Sequence, residues 1–425
     1  MARGRIFLHL IIIFYLYEIC QATFEINMTI RKININGTVL DTFKIGNIRF
    51  NDNSLFCSFP RKDNNLKATF ALTASSNKEE EKIFEPYPNI DINEYNESKC
   101  ENLLSVISFE IDQEGKIYLL DEGIYTKNNY TCYPKLIIIK EKQIIKNYTL
   151  YFNKYEDIEL EDFLIDRINN YSYITYHDKN ENGIFLINLD LKNNNTVEIK
   201  KLLNNNTRLK EERGYNVHIK GEDPLPKEKA KIKSMGLSCD GEAFFFSFIS
   251  SKMIYSILTK EIYPLYKRDS NKEIKIEDNI INEAYKNDST STIIYSNMGN
   301  LFLVGLENNK IYSYDLIDND LSRFDYKGLR KLDTNEKDIF IFPDKMAIND
   351  GKIFLLTNQL NSSNYTIYSE NINEKSYIYG CAGLKYKFNL SFYIMLGIFF
   401  LILLFVLTFV IVGNIQDKNI NKKNN

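Results

Sequence analysis

Tryptophan is absent from the 425 residues, and histidine occurs only three times. His9 falls in an N-terminal apolar run that reads as a leader, so a mature chain keeps His177 and His218. Two imidazoles supply a zinc site or a histidine-dependent triad poorly. Cysteine is scarce, six in all, and no two stand at Cys-x-x-Cys spacing, which removes the signature of a zinc ribbon or a dithiol redox site. There is no Gly-x-Ser-x-Gly, no His-Glu-x-x-His and no phosphate-cradling glycine loop. The formal charge is −3, with acids and bases mixed along the chain and no basic stripe, so nucleic acid is not expected as a partner. No metal or other cofactor is expected.

Long apolar runs occur only at the two ends. Arg3 and Arg5 precede the run Ile6 to Tyr17, and Cys20-Gln21-Ala22 puts small residues at the −3 and −1 positions of a cleavage site. This is a signal peptide, residues 1–22, because the run is short for a bilayer span of ~20 residues. The second run, Leu390 to Val412, carries no charge and suits one tilted helix across ~30 Å of hydrocarbon. Gly397 and Gly413 make no close-packing pair. Lys385 and Lys387 flank one side and Asp417, Lys418, Lys422 and Lys423 the other, so charge bias orients the span weakly. The signal peptide orients it instead, giving a single-pass type I membrane protein with a cytosolic tail at 413–425. Lys422 and Lys423 occupy the −4 and −3 positions, which resembles a dilysine endoplasmic reticulum retrieval signal. Residence is then the endoplasmic reticulum, or the cell surface if lysine-rich composition alone put those residues there.

Between the ends lies an ectodomain, 23–386. Its cysteines are Cys57, Cys100, Cys132, Cys239 and Cys381, an odd set that leaves one unpaired or intermolecular in an oxidising compartment. Sequons begin at Asn27, Asn36, Asn96, Asn129, Asn147, Asn170, Asn194, Asn205, Asn287, Asn361 and Asn364. An asparagine-rich chain makes some of these by chance, and those that carry glycans must be at the surface.

Helical periodicity is scarce, and short runs rich in Ile, Tyr, Phe, Val and Leu alternate with turn residues. One pattern recurs: Asp112-Gln-Glu-Gly115, Cys239-Asp240-Gly241, Ser296-Asn297-Met-Gly299 and Asn349-Asp350-Gly351, each followed by an apolar strand. Glycine supplies the positive φ such a turn needs. The last three glycines are about 50 to 60 residues apart, and a degenerate copy fits before them, with strands near Tyr171–Tyr176 and Ile184–Leu189. A repeat of ~60 residues with four strands per unit predicts a six-bladed β-propeller. A pair of β-sandwiches and a β-helix are the alternatives.

Asp178-Lys-Asn180-Glu-Asn182-Gly183 opens like a calcium loop, but Leu189 stands where the bidentate acid belongs, so a hairpin turn is expected. Glu156, Asp157, Glu159, Glu161 and Asp162 alternate with Ile158 and Leu160. They could supply a carboxylate pair for glycoside cleavage, but the alternation describes the wet face of a strand. Glu79-Glu80-Glu81 reads as a solvated loop.

Four segments, in order, resemble the yellow / major royal jelly protein family. They are Phe84-Glu-Pro-Tyr-Pro-Asn89; Ser105-Val-Ile-Ser-Phe-Glu-Ile-Asp-Gln-Glu-Gly-Lys-Ile-Tyr-Leu-Leu-Asp-Glu-Gly123 with Cys132-Tyr-Pro-Lys-Leu; Met235-Gly-Leu-Ser-Cys-Asp-Gly-Glu-Ala-Phe-Phe-Phe-Ser247; and Phe342-Pro-Asp-Lys-Met-Ala-Ile-Asn-Asp-Gly-Lys-Ile-Phe-Leu-Leu-Thr-Asn-Gln-Leu360. The likeness runs from about Asn53 to Leu384. It departs where family tryptophans are replaced by Ile90, Tyr118 and Phe342, and a C-terminal anchor is unusual there. The resemblance implies a six-bladed propeller, and a Cys100–Cys132 disulfide flanking the strand of the second segment. It implies a ligand site at the mouth of the central channel with Asp344, Asn358 and Leu360; the plainer reading makes Asn358 a turn residue and Leu360 core. Function is expected to be binding of a small ligand, such as an aromatic amine, or of a protein surface. A dopachrome-conversion-like tautomerase, with Asp344, His177 or His218 as base, and a structural or adhesive glycoprotein are the alternatives. A mouth lined by an acid and aromatic rings favours amine binding, and a filled channel favours adhesion.

Overall fold

The computed structural model describes residues 25–382 except 52–53, 62–65, 75–80, 127–128, 153–157, 178–181, 191–195, 204–216, 218–231, 250, 269–273, 275, 277–278, 286–287, 308–309, 316–341 and 359–363, together with residue 399. Six sheets surround one axis. Their innermost strands are Asn47–Asn51, Val106–Ile111, Glu159–Asp166, Ile232–Leu237, Thr290–Tyr295 and Phe342–Asn349, here blades 1 to 6. Each of these strands packs against the next, and the sixth packs against the first, so the ring closes. The expected six-bladed propeller is the fold.

Within each blade the first three strands follow one another antiparallel from the axis outward, and blade 2 gains an outermost strand, Thr196–Val197, parallel to Gln143–Leu150. Blade 6 is completed differently. Its outermost strand is Glu25–Ile30, paired antiparallel with Tyr365–Asn371. The two ends of the propeller chain are thus hydrogen-bonded into one sheet. Blade 1 carries two additional strands, Lys32–Ile35 and Thr38–Leu40, the former parallel to Glu81–Pro86.

The second strands of the blades are the most continuously buried, because both faces of a blade are covered by its neighbours. Ile117–Asp121 and Tyr171–His177 are buried throughout. Outer strands alternate, as Glu81–Pro86 does, because one face meets water. The recurring polar turns are the hairpins between first and second strands. Gly115, Gly241, Gly299 and Gly351 sit there with φ of 71°, 71°, 88° and 74°. Blade 3, the degenerate copy, uses Asn170 at φ 58° instead. Asparagine is the residue after glycine that best tolerates this conformation.

Aromatic ring pairs, stacked or edge-to-face, join the blades. Phe50 lies on Phe354 at 3.9 Å, Phe70 meets Phe109 at 4.9 Å, and Tyr173 lies on Phe244 at 4.3 Å. Phenylalanine and tyrosine therefore do the work that tryptophan would otherwise do between large packed surfaces. The Pro-Tyr-Pro-Asn segment has a plain structural role. Asn89 accepts the N–H of Ile92 at 2.9 Å and caps the short helix Ile90–Asn93.

One element departs from expectation. Thr259–Arg268 is a helix after the third strand of blade 4. Its only buried apolar residues among those described are Ile262 and Tyr266, four apart, too brief a stripe to stand out as periodicity, and Pro264 argues against a helix by propensity. It is held from outside: Tyr263 stacks on Tyr171 at 4.2 Å, and its hydroxyl reaches Asp166 of blade 3.

Cys100 and Cys132 form the expected disulfide, 32 residues apart. Cys239 and Cys381 are also disulfide-bonded, and Cys57 is a buried free thiol whose pKa burial pushes up. The double variant C100A/C132A should lose about 3 kcal/mol by its lost loop closure. An unchanged denaturation midpoint would contradict this. The propeller belongs to a compact unit that ends at Gly380, and Cys381 begins a second. The leader, the 390–412 run and the tail with Lys422 and Lys423 lie outside the described residues. Among those described, no helix is long and apolar enough to cross a membrane.

Candidate functional site at the mouth of the propeller channel

The innermost strands enter the channel at one end, here the mouth, and leave it at their hairpin turns. Partway down, charged side chains fill it. Arg49 of blade 1 forks onto Glu110 of blade 2, with Nε donating to Oε2 at 2.9 Å and Nη2 to Oε1. Its Nη1 also donates to Asn47 Oδ1 at 2.8 Å and to the Met346 carbonyl of blade 6 at 3.2 Å. Lys345 of blade 6 pairs with Asp162 of blade 3 at 3.1 Å. Blades 3 and 6 are opposite in a ring of six, so this ion pair spans the channel. Ser108 links the two pairs: its hydroxyl donates to Asp162 at 3.3 Å and accepts from Asn47 at 2.9 Å. Met235 of blade 4 and Thr292 of blade 5 complete the ring, leaving about 20 Å³ free. That is room for about one water molecule. Burial alone would lower the Arg49 pKa, but the charge and hydrogen bonds of Glu110 raise it above its usual value. The network is ionic, and it is a floor.

Above the floor the groups are mostly acids. Glu159 meets His177 Nε2, and Glu161 lies 3.7 Å from His177 Nδ1. His177 is nearly buried at the outer end of the second strand of blade 3, opposite Glu159 in the sheet. Glu122 follows the second strand of blade 2 and accepts the Ser105 hydroxyl at 2.8 Å. Desolvation pushes its pKa up to about 7, with the charges of Asp121 and Glu159 adding to this against Ser105 and Lys44. The next residue, Gly123, packs on the Cys132–Tyr133 backbone, and the Tyr133 and Tyr151 rings meet at 4.7 Å.

The raised Glu122 pKa has a stability consequence. Unfolded, the carboxyl ionises near 4.5; folded, near 7. Between those values the folded chain binds the extra proton, so stability falls as pH rises and the full cost is felt above 7. That cost is on the order of 3 kcal/mol. E122Q should flatten this slope, read as denaturation midpoints from pH 4.5 to 7.5. An identical slope in wild type and variant would contradict the assignment.

The far end of the channel is closed. A strap following blade 6 crosses it, with Lys375 N–H donating to Asn297 at 2.8 Å and Asn300 to Glu374 at 2.6 Å. The Tyr377 ring is buried in this strap, and its hydroxyl accepts from Ile165 N–H at 3.4 Å. A cavity of about 180 Å³ lies beside it, lined by Asp166, Arg167, Ser238 and Gly380 among others. Its charges are already engaged. Asp166 accepts from the N–H groups of Ile168 and Asn169, the Asn169 amide and the Tyr263 hydroxyl. Arg167 donates to the Ile378 carbonyl at 2.9 Å and stands near Asp112 and Glu114. This corner ties blades together and offers no free recognition group.

Of the residues expected at a ligand site, Asp344 and Asn358 are both at the mouth end of blade 6. Asp344 is half-buried beside a bulge in the first strand, and its charge acts on Tyr365. Asn358 lies opposite Phe342, and its Oδ1 is buried with no hydrogen-bond partner. Leu360 lies outside the described residues. His177 is brought among acids, and His218 lies outside the described residues. The alternating acids 156–162 form the innermost strand of blade 3 from Glu159 on, so the wet face it presents at Asp162 is the channel. The residues 178–181 lie outside the described set, and their flanks pair as a hairpin, His177 opposite Asn182. Sequence reasoning did not single out Arg49, Glu110, Glu122 or Lys345. Each stands in an apolar strand or at its end, and only the closure of the ring brings them together.

Among the sequons, Asn36 and Asn170 are exposed in tight turns, and Asn96 is half-buried in another. Asn147 has a buried Oδ1 and is poorly placed for a glycan. Asn27, Asn129 and Asn364 lie in or beside strands, and Asn194, Asn205, Asn287 and Asn361 lie outside the described residues.

The family model for major royal jelly protein matches residues 104–387, more than half of the chain. A dopaminechrome tautomerase of Drosophila melanogaster is 30% identical over 109 residues, 24% of this chain and 24% of that protein. Major royal jelly protein 7 of Apis mellifera is 23% identical over 236 residues, 54% of this chain and 50% of its own length. The chain thus spans a quarter to a half of the curated relatives it matches. Regucalcin of Agrobacterium tumefaciens, a calcium-binding protein, matches 78% of this chain and 92% of its own with 7% identity and a TM-score of 0.44.

Proposed function

We propose, from the premise that this chain belongs to the major royal jelly protein family, that its propeller binds a small cationic ligand, an amine, at the channel mouth. The observation that carries this is the gathering of Glu159 and Glu161, with the partly protonated Glu122 near Glu159, at the mouth end of blades 2 and 3, above a channel floor already neutralised by paired charges. Above a balanced floor, the surplus negative charge of the mouth favours a cation by complementarity. Asp344, at the same end of blade 6, adds to it. The leader and the 390–412 run support a propeller tethered to a membrane by a single span, resident in the endoplasmic reticulum if Lys422 and Lys423 act as a retrieval signal and at the cell surface otherwise.

The test is a thermal-shift and calorimetric screen of the purified protein against primary amines, with matched carboxylic acids and neutral alcohols as controls. Amines should raise the melting temperature by mass action, and D344N should weaken their binding about tenfold. Equal responses to all three classes, or to none, would refute the reading.

A second reading is favoured by Glu122 itself. A carboxyl held near 7 can both give and take a proton at neutral pH, which a tautomerisation requires, and one similar protein is a dopaminechrome tautomerase. If the chain is an enzyme of that type, E122Q should abolish turnover of an aminochrome while leaving its binding intact. Turnover that survives E122Q would exclude this residue.

A further inference from the structure

His177 faces a carboxylate through each of its ring nitrogens. Nε2 meets Glu159, its cross-strand partner, and Nδ1 lies 3.7 Å from Glu161, two residues further along the same strand. The imidazole is only 11% exposed, whereas Glu161 is 21% and Glu159 73% exposed. A neutral imidazole has one N–H and one lone pair, so it donates to one of these acids and turns a lone pair toward the other. Only the imidazolium donates to both. The arrangement is complete in one protonation state and broken in the other, and histidine is the side chain that ordinarily changes charge between pH 5 and 8. The charges around it come from several elements. Glu159 and Glu161 belong to the first strand of blade 3, and the charge of Glu159 also acts on Glu122 of blade 2. Lys44, ahead of the first strand of blade 1, acts on Glu122 in turn. Lys201, on the outermost strand of blade 3, Ile199–Lys201, lies 5.6 Å from the ring of Tyr176, the residue before His177. Asp162 is paired with Lys345. Asp178 follows His177 in sequence, outside the described residues.

We propose that His177 is a pH-operated latch on the mouth: protonated, it holds Glu159 and Glu161 together, and neutral, it keeps Glu159 and releases Glu161. The proton leaves Nδ1 for water, because the Glu161 contact is the longer of the two. Nδ1 keeps the electron pair and faces the Glu161 carboxylate without a hydrogen, so that carboxylate loses its counter-charge. Glu159 is largely exposed, so the latch stabilises the fold little. Its effect is on the charge of the mouth. Glu122 ionises over the same range, since desolvation, with the charges of Asp121 and Glu159 adding to it, pushes its pKa up to about 7. Both changes have the same sign: the mouth grows more negative as pH rises. A cation is then held at neutral pH and let go in an acidic compartment. The latch is a property of the empty protein, and only this consequence rests on the amine reading above.

Nitrogen-15 NMR of the purified protein, labelled at histidine, reads both ring nitrogens directly, and H177Q identifies the His177 signals by their loss. Both nitrogens should carry a proton at pH 5, and only Nε2 at pH 8. E161Q keeps the shape of the side chain and removes its charge, so the Nδ1 proton should be held about threefold more weakly or worse. A single protonation state of His177 from pH 5 to 8, or an Nδ1 proton indifferent to E161Q, would overturn the latch. Calorimetry with butylamine, a cation throughout this range, tests the consequence. Its affinity should rise at least fivefold from pH 5 to 8 in wild type. The rise should be at least threefold smaller in H177Q, whose amide cannot gain a charge. Equal pH dependence in the two proteins would overturn the control of the mouth by His177. If butylamine binds at neither pH, the amine reading falls, while an Nδ1 proton that comes and goes with pH and responds to E161Q still supports the latch.

Discussion

Replacing Glu110 by glutamine should cost the fold about 3–5 kcal/mol. The change keeps the shape of the side chain and removes its charge. Arg49 would remain a cation in the middle of the channel, with its side chain 15% exposed. Its other hydrogen-bond partners there are neutral oxygens of Asn47, Ile48 and Met346, and the charge of Asp162, paired with Lys345, acts on it less strongly than that of Glu110. A buried charge stripped of its counter-ion loses far more than the pair ever contributed, because desolvation was already complete. The same argument predicts a rescue. R49M/E110L removes both charges and fills the space with apolar atoms, so it should recover most of the loss. Denaturant midpoints of the three proteins provide the check. A wild-type-like E110Q would mean that water reaches the pair, and a double variant as unstable as the single one would mean that the hydrogen bonds, not the charges, carry the floor.

The propeller was legible because its repeat is written in turn chemistry. A hairpin between first and second strands needs a positive φ, and Gly115, Gly241, Gly299 and Gly351 each announce one. Even the weak copy is readable in retrospect, since Asn170 takes the same conformation. The helix Thr259–Arg268 was not legible: two buried apolar residues and an internal proline carry too little pattern, and Tyr171, on which its Tyr263 stacks, is far away in sequence. The channel floor escaped for a similar reason. Arg49, Glu110, Asp162 and Lys345 come from four blades, and nothing local to any of them foretells the other three. The mouth was half legible. Asp344 and Asn358 came from a resemblance, and the alternating acids were noticed but assigned to an ordinary wet strand face. Whether such a face looks outward or into a channel is decided by how the ring closes, which is a property of all six blades together.

Asp121 offers the second large effect, and it reaches both stability and the mouth. Its side chain is fully buried and accepts three backbone N–H groups: Leu104 at 2.7 Å, Ser105 at 3.1 Å and Gly123 at 2.8 Å. The buried ammonium of Lys135 lies 3.6 Å away and donates to the carbonyls of Cys100 and Asn102. One carboxylate thus fixes the segment that runs from the disulfide into blade 2. D121A would leave three donors without acceptors and Lys135 without a counter-charge, an expected loss of about 3–5 kcal/mol. D121N keeps an acceptor oxygen and should lose less. It carries a second readout that mere loosening would not give. The Asp121 charge is one of the causes holding Glu122 protonated toward neutral pH, so neutralising it should move the Glu122 titration to lower pH. Followed by the pH dependence of stability, the break near 7 should shift downward in D121N and be absent in E122Q. A break that stays in place in D121N would show that the two carboxyls do not sense each other, and that burial alone sets the state of Glu122.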